Sequence, residues 1–499
     1  MSSDRHEFGR ITFGVPAQTF RVSAFISTEE RLPAVTEFVM RLLHTCGRLS
    51  LGGFRQYFGF SEAEALTVIE SLDRLGYVRL SDDFLTLSEE MVARFEASPD
   101  ECPWVTKLKK RTDAVPFDLL AFTPLRRGEF TGWSDNWVKL NPAPEVVGNG
   151  AERAKQAYRE NFAQIEREFA RARGEERERS FGVHSIENVE PRRPNFIPVT
   201  VSLGVEAGNR PVISLPEAFE SLASPVLVAN FRDRMVDEFE RSPASGSSGV
   251  PDFLDLFRLD FLRAYVTGEA LDAHRYAGDV RRGMSAPAGV QPLFGSICLK
   301  DNREAVSVRI HEARQSQKRS PQNLSSLAWL APDYEYWGRG EDFRSTVEMW
   351  GKALKAAAPG DDLYVFDFAQ ERQEASARSQ YGNTGVNELH LLRPQAAPLM
   401  PYLEVILYPG QFAVAMLHAQ AQGHPGIRVP FGILSSHPHH LQVVHNFILD
   451  CAGGSRYAGR WSGKKQAAKG KPSSTLFEAC PFLAYSDVDF GAPKLSPEQ

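Results

Sequence analysis

The sequence predicts a multidomain protein of mixed α/β class, because of its length and a regular alternation of elements in its second half. Its 499 residues leave room for about two to four domains of ordinary size. From Asp342 onward, apolar positions at helical spacing alternate with continuous apolar segments. The helical segments are FRSTVEMWGKALKAAA and HLQVVHNFILD, and the strand segments are DLYVFDF, LEVILYPG, QFAVAMLHAQ and IRVPFGILSS. Such alternation is typical of layered α/β folds.

A run of small and turn-forming residues at 242–251, SPASGSSGVP, predicts a linker. With a second change of pattern after Pro99-Asp100, it divides the chain into three predicted domains. These are 1–98, a hairpin plus a helical module, then 99–245 and 252–499, both of α/β type. Within the last two, we expect a long helix over 151–179, a pair of strands over 194–206, and strands at 293–299 and 305–311.

Composition excludes several classes of protein. With 42% hydrophobic and 24% charged residues, the chain is globular rather than disordered. Its net charge of -6 excludes a uniformly basic nucleic-acid binder, so any phosphate contact must come from local basic patches. The five cysteines are scattered without a CxxC pair, which argues against a disulfide framework and a zinc ribbon. Neither a signal peptide nor a membrane-length apolar run is visible, and we expect a cytoplasmic protein with no membrane partner.

The first hundred residues change from a strand pattern to a helical one. Residues 11–26 alternate apolar and polar around Pro16-Ala17, which predicts a short hairpin. Three helices are expected next, and Ser61 followed by Glu64 is a capping-box pattern at the start of the third. The first of these helices is predicted from apolar residues that recur at helical spacing: Val35, Phe38, Val39, Leu42 and Leu43. Residues 77–87 then predict a strand, a tight turn and a strand.

Three helices followed by a small hairpin resemble the winged-helix family over about residues 32–97, with the segment LTVIESLDRLGYVRLSDDFLTLSEE at the third helix and the wing. The resemblance implies that the third helix enters the major groove of DNA. The expected exposed side chains of that helix and of the wing tip are mostly acidic: Glu62, Glu64, Thr67, Glu70, Ser71, Asp73, Arg74, Asp82 and Asp83. Acidic side chains repel phosphate, which favours docking on a protein. Contact with DNA stays open through Arg41, Arg48, Arg55 and Arg79.

Two further segments combine basic and aromatic residues, a combination that suits a nucleic-acid backbone and its bases. The first contains Lys107, Lys109, Lys110 and Arg111 beside Trp104. The second is the glycine-rich segment 455–472, with Arg456, Arg460, Lys464, Lys465, Lys469 and Lys471 interleaved with Tyr457 and Trp461. The alternative interpretations are a solvated helix face for the first segment and a soluble loop for the second.

The order of elements in the C-terminal half is similar to that of a phospholipase-D-like domain. His418-Ala419-Gln420 stands where that family has HxK, and Ser435-Ser436 stands near its GSxN motif. The resemblance implies a histidine nucleophile and a lysine that holds the phosphate charge. In this chain Gln420 replaces the lysine, no Asp follows at the family's spacing, and no well-formed second copy of the motif is found. The resemblance therefore implies the fold but leaves that catalytic route without its cation.

Histidines and carboxylates supply the remaining candidate catalytic residues. The histidines are His437, His439, His440 and His445, together with His418. Imidazoles at such spacing can bind zinc, but a loop capped by polar histidines at a helix start is the alternative interpretation, and we assign no metal and no cofactor. Asp333, Glu335, Glu341 and Asp342 form an acidic group in the loop PDYEYWGRGED. The motifs GxxxxGKS/T, GxSxG and HExxH are absent.

These observations favour a non-catalytic accessory protein that binds protein, DNA or both, of the kind found in bacterial multi-gene systems such as antiviral defence. A phosphodiesterase or nuclease with a divergent site is the second hypothesis, and a winged-helix transcription regulator is the third. An enzyme requires His418 to converge with residues 437–445 or 333–342 in one cleft. A nucleic-acid binder requires the basic residues of 104–111 and 456–471 on one face. A regulator requires a dimer.

Overall fold

The structure is a computed structural model. It describes residues 5–480 and Leu483, with gaps at 31, 98–104, 127–133, 135, 174–178, 242–248, 318–325, 356–362, 369–379, 383, 387, 395–399, 454 and 463–479. The described residues form a mixed α/β protein with several sheets and multiple domains, which confirms the predicted fold class. No helix in this part of the chain is both long and apolar enough to cross a membrane.

Long antiparallel strands form a ribbon, in which β1 (His6–Glu30) lies between β5 (Val105–Asp118) and β7 (Arg179–Glu206). At about 3.3 Å per residue, a strand of the length of β1 spans roughly 80 Å. The hairpin expected around Pro16 is wrong, because Pro16 lies inside β1. Proline has no backbone N–H to donate, and Pro16 lies in a gap between two pairing partners on one side of β1. The short β6 (Val138–Lys139) pairs with β1 only up to Gly14, and β5 pairs with it only from Ala17.

The ribbon carries a helical module at its far end, because Glu30 pairs with Val105 and residues 31–104 are inserted between them. The module contains α1 (Ala34–Cys46), β2 (Arg48–Ser50), α2 (Leu51–Phe58), α3 (Glu62–Arg74), β3 (Val78–Ser81), β4 (Phe84–Leu87) and α4 (Glu89–Ala97). The three strands have the order β2-β4-β3. The three predicted helices and the hairpin are thus confirmed, as is the capping box of Ser61 and Glu64.

The β3–β4 turn of the module suits its sequence. Asp82 and Asp83 have positive φ angles of 48° and 66°. Asp tolerates this left-handed region better than most residues, and two such residues close a tight hairpin.

The helices α5 (Gly150–Glu160) and α6 (Phe162–Arg173) cover one face of the ribbon. They replace the single long helix that we expected, with Asn161 between them in a non-helical conformation. The strand pair expected over 194–206 is also wrong, because β7 runs through these residues and its partner is β8 (Arg210–Ser214). After β8 come α7 (Glu217–Leu222), α8 (Pro225–Arg241), α9 (Val250–Leu256), β9 (Val266–Thr267), β10 (Ala270–Leu271) and α10 (Ala273–Arg281).

The C-terminal half forms an eight-stranded sheet with helices on both faces. Its elements are β11 (Val290–Phe294), α11 (Lys300–Gln317), β12 (Leu327–Leu330), α12 (Glu341–Lys355), β13 (Leu363–Phe368), β14 (Glu388–Pro394), β15 (Leu403–Tyr408), β16 (Phe412–Ala421), β17 (His424–Ser435), α13 (Pro438–Gly453) and β18 (Ser455–Ser462). The strand order is β11-β17-β16-β15-β12-β13-β14-β18, with β12, β13 and β14 parallel. The strands and helices predicted after Asp342 are confirmed. The strand predicted at 305–311 is wrong, because these residues lie in α11, where Val306 and Ile310 are buried one turn apart and Val308 is 55% exposed.

The near end of the ribbon is anchored in the C-terminal half. Phe8 and Val15 belong to the same hydrophobic core as strands β15, β16 and β17. The backbone N–H of Thr12 donates to the carbonyl of Arg339 (3.0 Å), and that of Ser296 donates to the carbonyl of Phe8 (2.7 Å). One end of β1 is therefore fixed to the eight-stranded sheet, and the other end holds the module.

Candidate functional site

The module presents an acidic surface made of α3 and the β3–β4 turn. All nine side chains predicted there are exposed, including the carboxylates of Glu62, Glu64, Glu70, Asp73, Asp82 and Asp83. Hydrogen bonds from the backbone and side chain of Ser61 lower the pKa of Glu64. Residues 32–97 contain ten Asp and Glu residues against six Arg and no Lys.

Most of the arginines proposed as DNA contacts are paired with carboxylates of the module itself. Arg41 contacts Glu37 (2.8 Å), Arg55 contacts Glu62 (3.4 Å), and Arg79 contacts Glu89 (3.3 Å). The guanidinium of Arg48 lies over the ring of Phe84, 4.9 Å from its centre. Exposed pairs of this kind add little stability, but each one cancels a positive charge that a phosphate would otherwise meet.

An apolar stripe on α1 lies beside the part of the helix that is buried. Val39, Met40 and Leu43 face the module's core, whereas Val35 is 56% exposed and Phe38 is 61% exposed. The helical spacing of the apolar residues in α1 is confirmed, but Val35 and Phe38 are not part of the buried face. In the sequence, only the helical spacing of Val35 and Phe38 pointed to an apolar stripe. That spacing does not show whether such a stripe is exposed or belongs to the core. Exposed apolar side chains suit a protein surface better than a phosphate backbone.

The basic cluster of residues 107–111 lies on β5 and not on a helix. Lys107, Lys109 and Lys110 are exposed. Since successive side chains of a strand point to opposite faces, Lys107, Lys109 and Arg111 share one face and Lys110 lies on the other. The ammonium of Lys110 reaches across β1 and contacts Glu187 (2.6 Å) on the ribbon strand β7.

Arg111 connects the ribbon to α6. Its Nε contacts Asp113 (2.8 Å) and its Nη2 contacts Glu166 (2.6 Å), and Asp113 also accepts a hydrogen bond from the hydroxyl of Tyr158 (2.7 Å). Burial lowers the pKa of Arg111, but hydrogen bonding to Glu166 and the charge of Asp113 outweigh it and raise the pKa above its ordinary value. The guanidinium also lies over the rings of Phe162 and Phe169. These contacts place the side chain of Arg111 in the packing between the ribbon and α6.

His418, the candidate nucleophile, lies in the eight-stranded sheet with only 3% of its surface exposed. Its Nε2 is 2.7 Å from Glu404 Oε2, and Glu404 Oε1 accepts a hydrogen bond from the indole N–H of Trp329 (2.8 Å). The guanidinium of Arg428 donates to the carbonyl of His418 (3.2 Å). Within the described residues, Nδ1 of His418 has no hydrogen-bond partner. The arrangement connects four strands of the sheet, β12, β15, β16 and β17, through buried polar groups.

The other histidines mark the start of α13. Nε2 of His440 bonds to the carbonyl of Phe257 (2.9 Å), and its Nδ1 to the hydroxyl of Ser435 (2.8 Å). Burial lowers the pKa of His440 to about 4, so the ring is neutral at pH 7. The backbone N–H of His439 donates to Nδ1 of His437 (3.2 Å), and Nε2 of His445 lies 3.2 Å from the carbonyl of Leu483. Both ring nitrogens of His440 are occupied by protein, which leaves neither for a metal or a substrate.

The structure does not bring these candidates into one cleft. In the β16–β17 pair, His418 faces Pro430 and Ala413 faces Ser435, so His418 lies about 17 Å along the strand from the level of Ser435. In the acidic group of residues 333–342, the ring of Tyr334 lies against that of His418. Burial raises the pKa of the neighbouring Asp333. Asp342, in contrast, lies 3.6 Å from Arg10 at the base of the ribbon. Among the described residues, no three His, Cys, Asp or Glu side chains are grouped as metal ligands.

The second basic segment lies only partly within the described residues. Arg456 and Arg460 belong to β18, opposite Arg393 and His390 of β14. These first residues thus form an edge strand where we predicted a loop. Lys464, Lys465, Lys469 and Lys471 lie outside the described residues.

Comparison with known proteins does not assign the chain to a family. The sequence matches no protein family model and no curated protein. Among solved structures, that of TrmBL2, an archaeal chromatin protein reported to show a novel mode of DNA binding, aligns with 85% of this chain and 94% of its own. The two chains are 8% identical and superpose with a TM-score of 0.18, which is too low to establish a common fold.

Proposed function

We propose that this chain is a protein-binding adaptor, and that residues 32–97 form a winged helix that docks on a basic surface of another protein. The order helix, strand, helix, helix, strand, strand, with the sheet order β2-β4-β3, supports the winged-helix assignment. In this proposal the ribbon holds the module away from the eight-stranded sheet, and the protein serves as an accessory subunit of a larger assembly.

The observation that carries the proposal is the acidic surface of α3 and the wing. Its carboxylates are exposed, while Arg41, Arg55 and Arg79 are each engaged by a carboxylate of the module. DNA binding depends on releasing counterions by neutralising phosphates with Lys and Arg, and this surface offers Arg74 alone among the exposed side chains of α3. A basic protein surface is complementary to it.

Photo-crosslinking in the native host tests this proposal. A photoreactive amino acid at Thr67, exposed on α3, is expected to give an adduct that protease digests and nuclease does not. The double variant E70K/D73K should abolish the adduct by reversing the charge of the surface. A probe at Asn188, exposed on β7, is the matched control. A nuclease-sensitive adduct at Thr67, or none at all, would overturn the proposal.

A second candidate function is nucleic-acid binding by the ribbon, and one observation favours it: Lys107 and Lys109 are exposed on the same face of the edge strand β5. Fluorescence anisotropy with single- and double-stranded DNA over a salt series tests this function. Binding that weakens in K107Q/K109Q, but not in the control K155Q on α5, would support it. Equal affinity of the two variants would assign any DNA binding to another part of the chain.

A further inference from the structure

A groove of about 580 Å³ lies where the base of the ribbon meets the C-terminal half. Three parts of the chain line it: the first residues of β1, the end of α10, and the segment from β11 to the start of α11. Its apolar lining includes Val280, Met284, Phe294 and Leu299. The volume lies within the range of small-molecule sites in proteins, about 300–1,000 Å³.

Charged side chains converge on this groove from all three parts. Glu7 accepts hydrogen bonds from Arg10 Nε (2.7 Å) and Nη2 (3.1 Å), so these two charges largely neutralise each other. Arg281, at the end of α10, and Lys300, at the start of α11, both line the groove, and neither is in an ion pair with any residue that the structure describes. Asp301 is the other carboxylate of the lining and is exposed. After Glu7 and Arg10 cancel, the two cations outnumber the one anion.

Hydrogen bonds and close packing hold the loop between β11 and α11, which forms one wall of the groove. The side-chain amide of Asn302, which is 8% exposed, donates to the carbonyls of Phe294 (2.9 Å), Gly295 (3.0 Å) and Ser296 (3.1 Å). Gly295 has a φ of 81°, and a Cβ there would lie 3.0 Å from the Cα of Phe8. The loop between β11 and α11 is thus packed on the backbone of β1, and Lys300 follows this loop as the first residue of α11. The first turn of the long helix α11 adds partial positive charge on the same side.

We propose that this groove binds a small phosphate monoester that carries an apolar or aromatic group. The phosphate lies between Lys300, Arg281 and the first turn of α11. The apolar group packs on Val280, Met284 and Phe294. Two cations from different helices, together with apolar lining residues, fit a molecule with one charged end and one apolar end. This site is separate from the surface of the module that we propose as a docking site.

Isothermal titration calorimetry of the full-length protein with phenyl phosphate, phenol and inorganic phosphate tests the proposal. Phenyl phosphate is expected to bind more tightly than either fragment, because only it uses both halves of the groove. Each of K300Q and R281Q should weaken binding of phenyl phosphate by about tenfold, the usual effect of losing one charge-assisted hydrogen bond. R282Q is the matched control, since Arg282 neighbours Arg281 but pairs with Asp279.

A separate variant tests the apolar half of the groove. M284A should weaken phenyl phosphate and leave the affinity for inorganic phosphate unchanged, because Met284 contributes only to the apolar lining. No heat of binding for phenyl phosphate at millimolar concentration would overturn the proposal. An affinity that is the same in K300Q/R281Q as in the unaltered protein would also overturn it. Equal binding of phenyl phosphate and inorganic phosphate would reduce the site to an adventitious anion contact and overturn the ligand class.

Discussion

Glu30 and Val105 face each other across the last antiparallel pair of the ribbon, although residues 31–104 lie between them in the chain. The module is therefore an insertion at the tip of a hairpin. It has its own hydrophobic core, which includes Leu43, Phe54 and Ile69 and is separate from the cores at the ribbon and the sheet. This relationship places a small exposed domain at the end of a long support, an arrangement suited to reaching a partner.

Replacing residues 31–104 with Asn-Gly should leave the rest of the protein folded. The register puts Glu30 directly opposite Val105, and a two-residue Asn-Gly turn connects strands with that spacing. We expect the shortened chain to keep a cooperative thermal transition. The excised module, residues 32–97 alone, should give its own helical circular dichroism spectrum. An insoluble or unfolded shortened chain would show that the module supports the ribbon.

Changing Arg111 to Met should loosen α6 from the ribbon. The variant leaves the buried carboxylate of Asp113 and that of Glu166 without their shared cation, which costs about 2–4 kcal/mol. Hydrogen–deuterium exchange of the α6 amides should accelerate accordingly. K110A, one residue away and exposed, is the control and should change exchange very little. Slow exchange of α6 in R111M would assign its anchoring to apolar packing.

The sequence predicted elements best where one periodicity dominates. The strands and helices after Asp342 and the capped helix α3 are examples. It failed where a local pattern fits two structures: alternating Val306, Val308 and Ile310 suit a strand, yet only Val306 and Ile310 are buried, as a helix requires. Pro16 suggested a turn, but in the structure it marks the point where the pairing partner of β1 changes from β6 to β5. Those partner strands lie far along the chain, so no local pattern shows the change.

The candidate sites were less predictable than the fold. The histidines 437–445 attract attention in the sequence, but the partner of His440 is a carbonyl at Phe257, which no local pattern identifies. The groove combines β1, α10 and α11, and no motif connects Glu7, Arg281 and Lys300. Exposed Phe38 and buried Val39 are adjacent in sequence, and only the packing of the module distinguishes them.

The double variant V35S/F38S should weaken the proposed partner binding while keeping its fold. Both side chains are more than half exposed, so their replacement should change the free energy of unfolding by no more than about 0.5 kcal/mol. The crosslink formed from Thr67 is expected to weaken, since α1 and α3 belong to one module. M40S is the contrasting variant, because Met40 is fully buried and its loss should unfold the module. An unchanged crosslink in V35S/F38S would exclude the apolar stripe of α1 from the interface.

The stability of the C-terminal half should fall as the pH decreases from about 6.5 toward 4, and His440 should cause part of this fall. Burial lowers the pKa of His440 to about 4 in the folded protein, whereas an unfolded histidine has a pKa near 6.5. Between these values the unfolded chain binds a proton that the folded chain excludes, so lowering the pH favours unfolding. Above about pH 6.5 both states are neutral at this position and the effect is absent.

H440Q keeps a donor for the carbonyl of Phe257 and cannot be protonated, so the urea midpoint of that variant should depend less on pH over this range. H184Q, at an exposed histidine of β7, is the control and should follow the unaltered protein. If H440Q and the unaltered protein lose stability equally between pH 7 and 5, the fall must come from other groups.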